Sequence, residues 1–130
     1  MNFAMFSGLN ASKFPKREFI IESYPSKKVR RSLTWEQYDE QANKLANYLM
    51  KECGVKKGDI VVHLVMNCME WHASYIAVLK TGAAVTPLNF RFASQDIKYA
   101  ADVTKCKAFI FGEQFISRVE PIMKDMDYCK

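Results

Sequence analysis

Arg91 is the residue of this chain whose type and position best suit it to bind a charged group. It follows Pro87 and Asn89 in a short loop, directly after an apolar segment that predicts a strand. Open parallel sheets bind ligands in loops beyond the carboxyl ends of their strands, and a guanidinium can bind a phosphate through two parallel hydrogen bonds. Arg91 is therefore the candidate ligand-binding residue. The alternative is an arginine that forms a salt bridge within its own loop.

A second group that could do chemistry consists of His63, Cys68 and His72, because Cys68 and His72 lie one helical turn apart. Zinc needs three or four converging ligands, and no further Cys, Asp or Glu has a recognised spacing nearby. A cysteine–histidine nucleophile pair needs an orienting acid, which this pattern lacks. We therefore predict no metal site and no catalytic residue in this chain. His63 then fits a strand histidine with a hydrogen-bond partner, and His72 a half-exposed helix histidine.

Phosphate-binding loops need glycines at a strand-to-helix turn, so that backbone N–H groups can approach the phosphate. Here that turn reads VMNCME and contains no glycine, and neither GxGxxG nor GxxxxGK[ST] occurs anywhere. The sequence therefore argues against a self-contained nucleotide site.

A strand, a helix and a second strand position Arg91. Residues 60–66 are apolar apart from His63, which is typical of a parallel strand covered on both faces. Asn67, with Glu70 three residues on, is placed to cap the helix that follows, and Gly82 is placed to end it. Residues 83–86 then predict a short strand that Pro87 terminates. A strand, a helix and a second strand joined by short loops indicate that the two strands pair in parallel.

The flanking segments extend this pattern in both directions. Before it, we expect a helix over residues 2–12 with Phe3, Phe6 and Leu9 on one side, then a hairpin of strands 19–24 and 29–33. Thr34 and Gln37 form a capping box for an amphipathic helix that ends at Gly54. After it, Ser94 is expected to cap a helix, residues 107–111 form a strand, and Pro121 bends or interrupts a last helix. The sequence thus predicts an α/β fold of βα repeats around a doubly wound parallel sheet, preceded by a β-hairpin and an amphipathic helix.

Composition excludes several classes of protein. The 130 residues are 49% hydrophobic and 25% charged, which is typical of a globular domain. The net charge of +5 is spread thinly, and the densest basic cluster, within residues 27–31, fits a hairpin tip better than a nucleic-acid surface. No apolar run approaches the ~20 residues of a membrane span, and four cysteines without a CxxC pair suggest a reducing, cytoplasmic setting.

Three separated motifs resemble the adenylate-forming enzymes, specifically the N-terminal part of the AMP-forming acyl-CoA synthetases. They are LTWEQYDEQANKLANYL at 33–49, GVKKGDIVVHLVMNCMEW at 54–71 and LKTGAAVTPLNFR at 79–91. Their order and spacing are similar to those of the family over nearly the whole chain, with small departures at Thr81 and Phe92. The resemblance implies that residues 1–130 are the N-terminal portion of a larger ligase domain.

The resemblance implies a two-step reaction that uses ATP, Mg²⁺ and coenzyme A. A carboxylic acid substrate is adenylated, and the thiol of coenzyme A then displaces AMP. The family's Ser/Thr/Gly-rich loop ending P-K-G, its Y-x-x-T-E motif, its ribose-binding Asp and its C-terminal Lys do not occur in this sequence. The chain is therefore predicted to be inactive alone, to bind none of these cofactors tightly, and to have the remainder of its own ligase chain as partner. Arg91 matches the family arginine that in some members lies near the phosphates of coenzyme A.

The sequence also fits a different class of protein, namely a standalone α/β interaction or regulatory module that has the same fold without catalysis. A Ser/Thr/Gly-rich loop ending P-K-G soon after Lys130 in the coding sequence would favour the ligase, and a stop codon would favour the module. For a piece of a parallel sheet, we also expect uncovered apolar edges and self-association.

Overall fold

The computed structural model describes residues 3–130, and its ten main elements alternate as the sequence predicts after an initial helix and hairpin. They are α1 (Phe3–Lys13), β1 (Glu18–Tyr24), β2 (Val29–Thr34), α2 (Trp35–Lys51), β3 (Ile60–Leu64), α3 (Met69–Lys80), β4 (Ala84–Pro87), α4 (Ser94–Thr104), β5 (Ala108–Phe111) and α5 (Ile116–Met123). Single 3₁₀ turns lie at Pro25–Lys27 and Glu113–Phe115. The α/β class is confirmed.

Two separate sheets make up the β-structure. β1 and β2 form an antiparallel hairpin, and β4, β3 and β5 form a three-stranded parallel sheet in that order. In the parallel sheet, Val61 of the central strand aligns with Val85 of β4 and with Ala108 of β5. The nearly all-apolar sequence of β3 follows from this central place, since both of its edges are paired and both of its faces are covered.

Alternate residues of β3 contribute to cores on opposite faces of the sheet. Val62 and Leu64 pack in a cluster with residues of α4 and α5, such as Ile97 and Val119. Val61 packs on the other face in a cluster with residues of α2 and α3, notably Leu49 and Val78. Helices therefore cover both faces, and the predicted doubly wound arrangement is confirmed.

Two local signals in the sequence have the predicted geometry. At the start of α2, Gln37 N donates to Thr34 Oγ1 at 3.3 Å and Thr34 N donates to Gln37 Oε1 at 3.0 Å, so the capping box is formed. Gly82 follows α3 with φ of +81°, a conformation that side chains rarely adopt. A Cβ there would also lie 3.1 Å from Cγ of Lys57, a tight contact, so the positive φ is the main reason for glycine and the crowding adds to it.

The predicted helix caps and ends need three corrections. The N-cap of α3 is Cys68, without a side-chain cap bond, and Asn67 is exposed one residue earlier because β3 ends at Leu64. The N-cap of α4 is Ala93, so Ser94 is the first helical residue. Helix α2 ends at Lys51, and Gly54 lies three residues beyond it.

The helix expected over residues 2–12 is present as α1, with residue 2 outside the described residues, and Pro121 does not interrupt the last helix. In α1 the buried residues are Ala4 and Ser7, while Phe3, Phe6 and Leu9 are exposed, because small side chains let α1 approach α2 closely. Pro121 lies inside α5, which nevertheless continues to Met123.

Candidate functional site

The carboxyl ends of the three parallel strands lie at one edge of the sheet. The ladder extends into the loops beyond them: Leu88 N donates to His63 O at 2.8 Å, and Gly112 N donates to Leu64 O at 3.0 Å. The loops that follow β3, β4 and β5 therefore begin side by side. This is the edge at which open α/β sheets bind ligands, and the loop of Arg91 is one of the three.

Arg91 lies in a tight turn between β4 and α4. Its N–H donates to Asn89 Oδ1 at 2.9 Å, and Phe92 N donates to Asn89 O at 3.0 Å, so one asparagine organises the turn. The guanidinium lies 5.4 Å from the centroid of the Phe90 ring, within the range of a cation–π contact. Arg91 is exposed, and no carboxylate within residues 3–130 forms a salt bridge with it. The alternative of a salt bridge within the loop is therefore not observed.

Arg118 of α5, which no motif in the sequence singles out, contacts the loop of Arg91. Its Nη1 donates to Phe90 O at 2.7 Å and to Phe92 O at 3.2 Å, so it holds the carbonyls on both sides of Arg91. Arg118 belongs to α5, 28 positions from Phe90. No local signal could have identified this contact, because it exists only when α5 packs beside the β4–α4 loop.

The N-terminus of α4 borders the same loop and is closed by its own carboxylate. Asp96 Oδ2 accepts a hydrogen bond from Ala93 N at 3.0 Å. A carboxylate at this position complements the positive end of the helix dipole. The charged group available at this part of the sheet edge is therefore the Arg91 side chain and not the helix terminus.

The three residues considered for metal or nucleophilic chemistry have separate surroundings. His63 Nε2 lies 2.7 Å from Ser74 Oγ, and its ring packs edge-on against Trp71. Burial lowers the pKa of His63 to about 4. Cys68 precedes α3, and His72 is exposed on that helix. Within the described part of the chain, no three His, Cys, Asp or Glu side chains are placed to hold a metal ion.

A largely apolar cleft lies on the α2 and α3 side of the same sheet edge. Its volume is about 310 Å³. Lining residues come from three elements (α2, α3 and β5) and from the loops after β3 and β5: Gln41, Leu45, Val65, Glu70, Ala73, Ser74, Ile110, Phe111 and Gly112. It has room for an apolar side chain or acyl segment, and Gln41, Glu70 and Ser74 are the polar side chains that line it.

The two arginines of the hairpin form salt bridges within the chain. Arg30 makes a bidentate contact with Glu18 at 2.9 and 2.8 Å. Arg31 contacts Glu22 and, at 3.3 Å, Glu70 of α3. These carboxylates offset the positive charge of the hairpin. Among the helices described, none has both the length and the hydropathy needed to cross a bilayer.

Comparison with known proteins places this geometry in a family. The model of the AMP-binding enzyme family matches residues 9–129. A medium/long-chain-fatty-acid–CoA/3-oxocholest-4-en-26-oate–CoA ligase of Mycobacterium marinum is 33% identical over 98 residues, which is 75% of this chain and 18% of that protein. A crotonobetaine/carnitine–CoA ligase of Proteus mirabilis is 27% identical over 115 residues, 88% of this chain and 22% of that protein.

A solved structure has the same fold. The N-terminal domain of FACL13 from Mycobacterium tuberculosis superimposes with a TM-score of 0.82 at 26% identity, over 95% of this chain and 30% of that one. The match to the family model spans nearly all of the residues described here, so the chain belongs to the AMP-binding enzyme family, the adenylate-forming ligases. It spans about a fifth of the length of the curated relatives that it matches.

Proposed function

We propose that this chain is the N-terminal portion of an AMP-forming acyl-CoA ligase that activates a carboxylate with ATP and transfers the acyl group to coenzyme A. The observation that carries the proposal is the family match over residues 9–129, together with relatives that are themselves CoA ligases. The proposed domain assignment is residues 1–130 as part of the ligase large domain. A cytoplasmic setting is part of the same proposal.

We further propose that the 130 residues alone do not catalyse either step. Adenylation requires groups that offset charge on the phosphates and on the leaving pyrophosphate, a task that Mg²⁺ and cationic side chains perform when nucleotide is bound. At the carboxyl edge of this sheet the exposed cation is Arg91, and the strand-to-helix turn after β3 has no glycine-rich phosphate loop. Ser74 of the adjacent cleft contacts His63, but within residues 3–130 no acid orients that histidine, since its Nδ1 has no hydrogen-bond partner.

Arg91 is proposed to bind a phosphate of coenzyme A. Its support is geometric: the side chain is exposed, it forms no salt bridge within residues 3–130, and its turn is fixed on both sides by Arg118 and Asn89. A fixed turn reduces the conformational entropy lost on binding, which makes a single guanidinium more effective. One such contact gives only weak binding, so coenzyme A is not expected to bind tightly to this chain alone.

The test compares the isolated chain with a chimaera in which it replaces the equivalent segment of the Mycobacterium marinum ligase. Both are incubated with ATP, Mg²⁺, coenzyme A and a panel of carboxylates that includes medium-chain fatty acids and crotonobetaine. We expect no pyrophosphate release from the isolated chain, and pyrophosphate and acyl-CoA formation from the chimaera. Pyrophosphate release by the isolated chain would disprove its inactivity alone. A folded chimaera that makes no acyl-adenylate would count against the N-terminal assignment.

A further inference from the structure

Cys106 and Cys129 form a close pair of thiols that the proposed ligase reaction does not use. Their Sγ atoms lie 3.2 Å apart, although the residues are 23 positions apart in sequence. Cys106 is buried at the junction of α4 and β5, and Cys129 is half-buried in the segment that follows α5. The pair therefore joins two parts of the chain, with one sulfur enclosed and the other accessible.

Backbone pairing holds the two cysteines in register. Lys130 N donates to Lys107 O at 3.0 Å, and Phe109 N donates to Lys130 O at 2.8 Å. This pattern is a parallel bridge, and it sets the segment of Cys129 along the outer edge of β5. The residues that follow each cysteine directly, Lys107 and Lys130, are thus bonded to one another.

Side chains hold the same segment from a second direction. Tyr128 OH donates to Asp102 Oδ1 at 2.6 Å, and Lys105 Nζ lies 4.6 Å from the centroid of the Tyr128 ring. Both contacts fix the residue before Cys129 against the C-terminal end of α4. Because the segment of Cys129 is already ordered, it loses little conformational freedom when the two sulfurs react. The effective concentration of one thiol at the other is therefore high.

The contact between the sulfurs also changes their acidity. The hydrogen bond between them lowers the pKa of Cys106 and raises the pKa of Cys129, because the S–H of one stabilises the thiolate of the other. The thiolate is the reactive form of cysteine. The lowered pKa favours the thiolate on Cys106, which can accept the proton of Cys129, the accessible sulfur, across the 3.2 Å contact as Cys129 reacts.

We propose that Cys106 and Cys129 are an oxidative modification site that forms an intramolecular disulfide on exchange with a small-molecule disulfide such as oxidised glutathione. Cys129 Sγ first bonds to one sulfur of glutathione disulfide, whose S–S bond breaks to release one glutathione thiolate. Cys106 Sγ then attacks Cys129 Sγ and releases the second. The cysteines lose two electrons and two protons, and one glutathione disulfide becomes two glutathione thiols.

The disulfide would change the edge of the sheet beside β5. It would close a loop that contains β5 and α5 and would fix the segment beside β5 covalently. Under reducing conditions the pair stays as two thiols, which agrees with cysteine chemistry in a reducing compartment. The modification is therefore conditional on an oxidant.

The experiment exposes the folded 130-residue chain to glutathione buffers of increasing oxidised fraction, quenches it with acid, alkylates free thiols and maps the products by mass spectrometry. We expect a species that lacks the mass of two hydrogen atoms, with Cys106 and Cys129 linked and Cys53 and Cys68 alkylated. The oxidised form should melt roughly 5–10 °C higher because the cross-link restricts the unfolded chain, and dithiothreitol should reverse the shift.

Two variants make the test specific. In Cys129→Ser, loss of free Cys106 should slow by at least about tenfold, because the enclosed sulfur has lost its accessible partner. Cys68→Ser, at another half-buried cysteine, should oxidise as the wild type does. The proposal is wrong if Cys129 carries glutathione while Cys106 stays free, if Cys129 pairs with Cys53, or if Cys106 in Cys129→Ser oxidises at the wild-type rate.

Discussion

His63 has to remain uncharged in the folded chain. Ser74 Oγ donates to Glu70 O at 2.6 Å, so its hydroxyl accepts from His63 Nε2–H. The opposite ring atom, Nδ1, is buried and has no hydrogen-bond partner within residues 3–130. A charged imidazole would add a proton to Nδ1 and so bury an unpaired N–H donor together with a charge, and burial accordingly lowers the pKa of His63 to about 4.

This lowered pKa predicts a loss of stability in mild acid. The unfolded chain takes up the histidine proton near pH 6.5, and the folded chain only near pH 4. The neutral His63 side chain therefore contributes fully to the free energy of unfolding above pH 6.5. This contribution decreases by about 3 kcal/mol as the pH falls towards 4. Urea unfolding at pH 7 and pH 4.5 should show a much larger drop for wild type than for His63→Leu. His72→Gln, at the exposed histidine, should behave as wild type, and an equal drop in all three proteins would contradict the prediction.

Replacing Arg91 is predicted to affect the step of the proposed reaction that uses coenzyme A. In the chimaera described above, Arg91→Ala should raise the apparent KM for coenzyme A about tenfold, the effect of losing one charge-assisted phosphate contact. The rate of acyl-adenylate formation should stay unchanged, since that step precedes coenzyme A binding. Arg17→Ala, at an exposed arginine before the hairpin, is the matched control. An unchanged thioesterification step in Arg91→Ala would remove the proposed role.

At the scale of elements, Asp39 of α2 joins three helices. Its Oδ1 accepts from Ser7 of α1 at 2.7 Å and from Lys80 of α3 at 2.8 Å, and Asn43 donates to Oδ2 at 2.9 Å. The side chains of Lys80 and Asp39 are only 16% and 15% exposed. Burial acts to raise the pKa of Asp39, but the bonds from Lys80 and Ser7 outweigh it and hold the pKa below its usual value.

Removing this charge should loosen the packing of α1 and α3 on α2. Asp39→Asn keeps the size of the side chain but leaves the Lys80 ammonium without its counter-ion, and we expect a loss of about 2 kcal/mol in the free energy of unfolding. Glu40→Gln removes the exposed Glu40–Lys44 pair on the same helix and should be indistinguishable from wild type. Urea denaturation measures both, and equal stabilities for the two variants would contradict the role of Asp39.

At the scale of the whole molecule, the parallel sheet has incompletely covered edges. β4 pairs only with β3 in the part of the chain that the structure describes, and the outer edge of β5 is paired only through Lys130. The outward side of α1 also exposes large apolar side chains, with Phe3 68% and Met5 59% exposed. Unpaired strand edges and apolar patches favour association.

We therefore expect the isolated chain to self-associate. Light scattering coupled to size exclusion should give an apparent mass that rises from near 15.0 kDa towards a dimer or larger as concentration increases. Phe3→Ser combined with Met5→Ser should reduce this association if α1 contributes to it, whereas Tyr99→Ser, at an exposed residue of α4, is the control. A compact monomer at the highest concentration would contradict the prediction.

Several features were set by the sequence because they depend on residues close together in the chain. The capping box of Thr34 and Gln37, the left-handed Gly82 and the nearly all-apolar β3 all appear where local pattern predicts them. The family motifs belong to this group, since each is a short run of neighbouring residues. The prediction of Asn67 as the N-cap of α3 was wrong because the adjacent Cys68 takes that position, and the local sequence does not distinguish the two residues.

Only the tertiary structure decided which distant side chains meet. Arg118 supports the loop of Arg91 across 28 positions, Lys80 reaches Asp39 across 41, and Cys106 meets Cys129 across 23. The outward direction of Phe3 and Phe6 in α1 was also decided by packing, because the close approach to α2 requires Ala4 and Ser7 at the contact. Local pattern specifies the type and approximate place of an element, whereas contacts between elements depend on how the whole chain buries its apolar surface.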